Sequence, residues 1–203
     1  MNLLAESNDI NDYLLETDEV DYSHSSIREK THELYSHSPH EVDFVRSAFE
    51  FVRDHISHSC DIRSSRITYK ASDVLQFKEG ICYAKSLLLA ALLRGNGIPT
   101  GFCYQRLTLG NTPDTGYALH ALNAVYFRTM DQWIRLDARG NKPGVDAQFS
   151  LDAEQLAFPI RSHYDEIDYP IIYVNPNPQT IAVLKQSTNC IEMCQNHLPS
   201  EIK

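Results

Sequence analysis

Three residue types that work together in covalent catalysis stand in order along this chain: Cys82, His120 and Asp137. They supply a nucleophile, a base and a carboxylate that can orient the base. Cys82 follows Gly80 and opens the run Cys82-Tyr-Ala-Lys-Ser-Leu-Leu-Leu-Ala-Ala-Leu-Leu-Arg94, which is rich in strong helix formers. Gly80 permits a tight turn into that helix. The thiol therefore falls at or near a helix N-terminus, where unpaired N–H groups and the positive dipole end favour thiolate over thiol. A lone cysteine is more often a buried packing residue. The glycine-then-helix setting raises Cys82 above that reading.

The elements that must position these groups can be read from periodicity. Beyond Gly95-Asn-Gly-Ile-Pro99, which stops the cysteine helix, the pattern changes from helical to alternating. Gly101–Leu109, His120–Phe127 and Trp133–Ala138 read as strands, and the short link Arg128–Gln132 makes the last two an antiparallel hairpin. His120, Leu122, Ala124 and Tyr126 share one face of their strand; Trp133, Arg135 and Asp137 share one face of the next. Opposed residues approach to about 5 Å, so the hairpin can bring His120 beside or diagonal to Asp137 if the register puts them on one side.

Upstream, Ser26-Ile-Arg-Glu29 has the capping-box pattern and opens a helix to about Ser36. Ser38-Pro-His-Glu41 repeats the signal, and Val42, Val45, Phe49, Val52 and Ile56 then form an apolar stripe on a second helix ending near His58. Residues 59–71 are irregular, and Ser72 or Asp73 would cap a short turn through Phe77. Downstream, residues 149–158 suggest a helical turn, Pro170–Val174 a strand, and Gln179–Cys194 one helix. The expected fold class is α+β: N-terminal helices and a central cysteine-bearing helix packed on an antiparallel sheet.

Composition narrows the function classes. The chain has 203 residues, 42% hydrophobic and 22% charged, with a formal charge of −9, which disfavours nucleic-acid and anionic-membrane partners. Met1-Asn-Leu-Leu-Ala-Glu lacks a signal-peptide pattern, and the apolar run Leu87–Leu93 is too short to cross a bilayer, so a cytoplasmic protein is the expectation. Residues 1–22 read as an acidic arm, either mobile or packed late, ahead of a single domain over 23–203. Cys60, Cys82, Cys103, Cys190 and Cys194 make an odd set, expected as free thiols in a reducing compartment. Cys190, Cys194 and His197 can share a helical face but lack zinc-ligand spacing, and no acidic calcium loop occurs, so no metal or cofactor is expected. His24, His32, His37 and His40 are expected on helix surfaces.

In its motifs the chain resembles the transglutaminase-like superfamily, which has a papain-like core. The residues that carry the likeness are Gly80-Ile-Cys82-Tyr-Ala-Lys-Ser, Leu92-Leu-Arg-Gly-Asn-Gly-Ile-Pro99, His120-Ala-Leu-Asn-Ala-Val-Tyr126 and Trp133-Ile-Arg-Leu-Asp137. They span about residues 66–140, leaving 141–203 as a C-terminal extension. The resemblance implies a catalytic triad of Cys82, His120 and Asp137 acting on a peptide or protein carboxamide through a thioester, with transfer to an amine or hydrolysis by water. It also implies oxyanion donors: the Cys82 N–H and, as second candidates, Tyr69 or Gln76. Two other readings remain at this stage, a non-catalytic interaction module on the same fold and an arylamine-acetyltransferase-like acyl transfer. Where the family often has Trp after His-Ala and an acidic residue soon after, this chain has Leu122 and Asn123-Ala124, differences that bear on the cleft and its substrate.

Overall fold

The computed structural model describes residues 2–203. A two-residue strand, β1 (Leu4–Ala5), leads to a single 3-10 turn over Ile10–Leu14, capped by the Asp9 carboxylate. Two antiparallel-packed helices follow, α1 (Ser25–His37) and α2 (Glu41–His55). Their starts differ from the sequence expectation. His24 caps α1 by accepting the Ser26 N–H, and Ser38 bonds the Ser47 hydroxyl instead of capping α2. The α2 stripe is as expected: Val45, Phe49, Val52 and Ile56 are buried. Helix α2 stops at His55, which frees the next residues for β2 (Ser57–His58).

Helix α3 (Ala71–Phe77) begins after Lys70, because the Ser72 N–H and hydroxyl are both taken by the Asp21 carboxylate. Lys78, at φ 56°, turns the chain out of α3 and into β3 (Glu79–Gly80), which pairs in parallel with β2. Helix α4 (Cys82–Arg94) comes next, and every residue from Tyr83 to Arg94 is buried. It is the central post of the fold, with α1, α2 and α3 around it and the sheet on its other side.

That sheet contains β4 (Thr100–Thr108), β5 (Tyr117–Phe127), β6 (Gln132–Leu136) and β7 (Ile167–Asp168) in the order β6-β5-β4-β7, all antiparallel. Strand β8 (Ile171–Ile172) pairs in parallel with β1. The C-terminal region has two helices where periodicity suggested one: α5 (Pro178–Gln186) and α6 (Cys190–Asn196). Ser187 leaves the helical conformation and the Asn189 carboxamide caps α6 afresh. Residues 149–158 form no helical turn; a bridge between Gln148 and Gln155 spans them instead.

The acidic arm is packed. Tyr13 is buried with its hydroxyl on the Ile172 carbonyl, and the Glu19 carbonyl accepts the Ala71 N–H. The cysteines depart further from expectation: Cys60 and Cys194, 134 residues apart, are joined by a disulfide, leaving Cys82, Cys103 and Cys190 free. His24, His32, His37 and His40 are exposed. Among the described residues no helix is long and apolar enough to cross a membrane.

Candidate active site

Cys82 is the first residue of α4, so its N–H has no intrahelical acceptor. Of the three free cysteines it is the half-buried one; Cys103 and Cys190 are buried. Burial pushes the Cys103 thiol up to about 12 and the Cys190 thiol up to about 11, which makes both poor nucleophiles.

The β5–β6 register pairs Asn123 with Leu136 and Ala124 with Arg135. Continued along the hairpin, it puts Asp137 opposite Leu122, one diagonal step from His120 and on the same face. His120 Nε2 lies 2.7 Å from Asp137 Oδ2. Asp137 also accepts the Arg139 N–H at 3.2 Å and the Ala157 N–H at 3.0 Å. With Nε2 engaged by the carboxylate, Nδ1 is the ring nitrogen left free, and the Cys82 side chain is close enough to act on the charge of this ring. The edge-on ring of Phe158, 5.1 Å away between centroids, fixes the imidazole from one side.

The electrostatics follow from this packing. Burial alone would depress His120, but the Asp137 charge, and next to it Cys82, outweigh that and push it up to about 10. Burial would likewise raise Asp137, but the charge and hydrogen bond of His120, then the Ala157 and Arg139 N–H groups, hold it below the usual carboxylate range. The favoured state at neutral pH is therefore a buried imidazolium against a carboxylate. Such a ring can hold a thiolate and later give up a proton.

Behind the thiol lies a polar layer that the sequence did not single out. Lys85, one turn along α4, donates to the Ile56 carbonyl at 2.5 Å and the Arg53 carbonyl at 3.3 Å, and burial pushes it down to about 7. Gly140 (φ 107°) passes so close that a Cβ there would sit 3.2 Å from Lys85 Nζ. Arg139 forms a two-pronged pair with Asp61, at 2.5 and 2.9 Å, and Lys142 joins the same carboxylate at 2.6 Å. His58 is pushed down to about 3 by burial and then by the Arg139 charge, and its Nδ1 is buried without a partner. Arg139 and Gly140 stand two and three residues after Asp137, which is the one local signal that could have marked this layer; Phe158 and the Ala157 N–H carried none.

Tyr69 and Gln76 are the candidate second oxyanion donors. Tyr69 packs against the core with the Lys185 ammonium 5.9 Å over its ring, and Gln76 is exposed on α3. Neither side chain makes a hydrogen bond among the described residues. A cleft of about 490 Å³ lies beside Phe158, walled by Leu107, Leu109 and Pro159 and by the cations of Arg139 and Arg161. Two larger hollows, of about 570 and 540 Å³, lie away from the three residues, one beside α5 and α6 and one on α1.

The family profile described as the transglutaminase-like superfamily matches residues 28–138, a span that holds Cys82, His120 and Asp137. Among solved structures the fold is similar to that of a proposed cysteine protease from Cytophaga hutchinsonii, with 18% identity, a TM-score of 0.54, and coverage of 66% of this chain and 43% of that one. A red sea bream transglutaminase matches at 12% identity and a TM-score of 0.49, over 66% of this chain and 32% of that one. The periplasmic domain of TgpA from Pseudomonas aeruginosa matches at 17% identity and a TM-score of 0.46, over 62% and 46%. The chain thus spans less than half the length of the solved proteins it matches. No curated protein matches the sequence.

Proposed function

The chain belongs to the transglutaminase-like superfamily, and from that premise we propose that it performs cysteine-based acyl transfer or hydrolysis on a peptide or protein carboxamide with Cys82, His120 and Asp137 as its triad. The Cys82 thiolate attacks the carbonyl carbon, and the oxygen takes the electron pair against the free N–H of Cys82. His120 passes its proton to the departing amine or ammonia as the C–N bond breaks, leaving a thioester on Cys82. The neutral imidazole then takes a proton from the acceptor as it attacks. An amine acceptor gives transamidation; water gives the acid. Asp137 keeps Nε2 engaged throughout, so Nδ1 stays aimed at the sulfur.

One observation carries this reading: the buried His120 ring is held at 2.7 Å by the buried Asp137 carboxylate, and the half-buried thiol that opens α4 acts on the charge of that ring. The test is brief treatment with limiting iodoacetamide at mildly acidic pH, read by mass spectrometry. Labelling of Cys82 ahead of Cys103 and Cys190 is expected, slowed at least tenfold in His120→Ala. Labelling that His120→Ala does not slow means an exposed but unactivated thiol and defeats the proposal. Ammonia release from glutamine peptides, with and without a primary amine, then separates hydrolysis from transfer.

A further inference from the structure

A second group of sulfurs lies apart from the proposed triad. Cys60 follows β2, Cys194 and Cys190 lie one turn apart on α6, and their three Sγ atoms are all within 4.8 Å of one another. Two of these sulfurs form the disulfide, a task for which the third is not needed. Yet Cys190 is buried, with its sulfur 3.9 Å from that of Cys194. Thiol–disulfide exchange would account for a third sulfur only if the three stood nearly in line. A line would place the outer sulfurs well beyond 4.8 Å, because a sulfur–sulfur bond adds about 2 Å to the 3.9 Å gap. The sulfurs form a triangle instead.

A triangle is what a tetrahedral thiophilic cation requires. Two thiolates on zinc at about 2.3 Å stand about 3.8 Å apart, close to the Cys190–Cys194 separation of 3.9 Å. The three sulfurs supply three of the four positions of such a cation, and among the described residues no carboxylate oxygen or imidazole nitrogen joins them within 4.8 Å. His197, which the sequence placed with these cysteines, instead faces Glu192 at 3.7 Å.

We propose that in the reduced chain the three sulfurs of Cys60, Cys190 and Cys194 bind one zinc-like divalent cation. A dithiol reductant supplies the two electrons and two protons that open the disulfide to two thiols and is itself oxidised to a disulfide. The cation then displaces the protons of the three thiols and holds α6 against the segment that follows β2. A disulfide oxidant reverses the exchange: it takes two electrons from the Cys60 and Cys194 thiolates and becomes two thiols, the cation leaves, Cys190 regains its proton and the Cys60–Cys194 bond closes.

The experiment uses the full chain carrying Cys82→Ser, so that neither metal bound by the triad nor its failure enters the result. After reduction and removal of the reductant under inert gas, the protein is titrated with Co²⁺, then with Zn²⁺ as competitor. One cation per chain with intense sulfur-to-cobalt charge-transfer absorption is expected. Binding should weaken at least a hundredfold in Cys190→Ser and stay unchanged in Cys103→Ser. Circular dichroism of each variant checks the fold, and Cys194→Ser repeats the test at the more accessible sulfur. No uptake by the reduced chain, or uptake that Cys190→Ser and Cys194→Ser leave unchanged, overturns the proposal.

Discussion

At His120 two effects oppose each other, and their difference is measurable. Burial favours the neutral ring, while Asp137 at 2.7 Å and the Cys82 sulfur favour the charged one and win, to about 10. An unfolded histidine titrates near about 6.5. The folded state thus binds the extra proton, and the pair's contribution to stability is complete below about pH 6.5 and fades as the pH rises through about 10. Imidazole NMR resonances of His120 should accordingly remain those of imidazolium through neutral pH. In Asp137→Asn the midpoint should fall towards the free value, and turnover should drop steeply to a weak remnant. An unmoved midpoint would show that the carboxylate does not hold the ring. At this scale the helix start at Cys82 and the approach of His120 to Asp137 were legible because α4, β5 and β6 are strongly patterned. Lys85 and His58 were not, since a lysine in a helix and a histidine after one have ordinary surface explanations.

Helix α4 shows what an element contributes beyond its side chains. Its approach depends on Gly80, where an added Cβ would meet Ala84 Cβ at 2.9 Å and Thr68 Oγ1 at 3.1 Å. Neither neighbour is the end of a long, flexible chain, so β3 or the first turn of α4 would have to move. Gly80→Ala should cost about 1–3 kcal/mol in urea denaturation and slow the alkylation of Cys82, two residues on. Stability equal to wild type would mean the turn has slack. Elements with many periods were legible within a few residues: α2, α4, and the strands β4, β5 and β6. The two-residue strands β1, β2, β3 and β7 were not, because two residues define no period and their pairing partners are remote in sequence, whereas β8 falls inside the strand expected over Pro170–Val174. Hairpin geometry could be read from the short link, but the register came only from side-chain packing on both sheet faces.

Across the whole molecule, long-range ties hold the α+β core and its flanking segments together, and Arg94 is the strongest of them. Only 3% exposed, its guanidinium donates to the Leu15 carbonyl in the N-terminal arm, to Thr100 at the start of β4, and to Val174 just after β8. No carboxylate answers it there, and burial lowers it to about 10. The charge is retained because three backbone carbonyls from three distant segments have no other donor in that place. A tie of this kind leaves no local pattern, as with the Cys60–Cys194 bond, which spans 134 residues. Each carbonyl left unsatisfied costs about 1–3 kcal/mol, and relaxation of the arm should recover part of the sum. Arg94→Met keeps the aliphatic bulk and removes every donor, so a loss of about 3 kcal/mol in denaturant unfolding is expected. The arm should loosen before the rest, seen as faster hydrogen exchange at the amides of Leu4 and Glu6, which bond Pro170 and Ile172. Cys82 alkylation should persist at temperatures where the variant remains folded, because the guanidinium lies at the far end of α4 from the thiol. If stability fell while exchange in the arm stayed at wild-type rates, the tie would run between helix and sheet alone. The first 22 residues would then be attached by Tyr13 and the β1–β8 pairing without it.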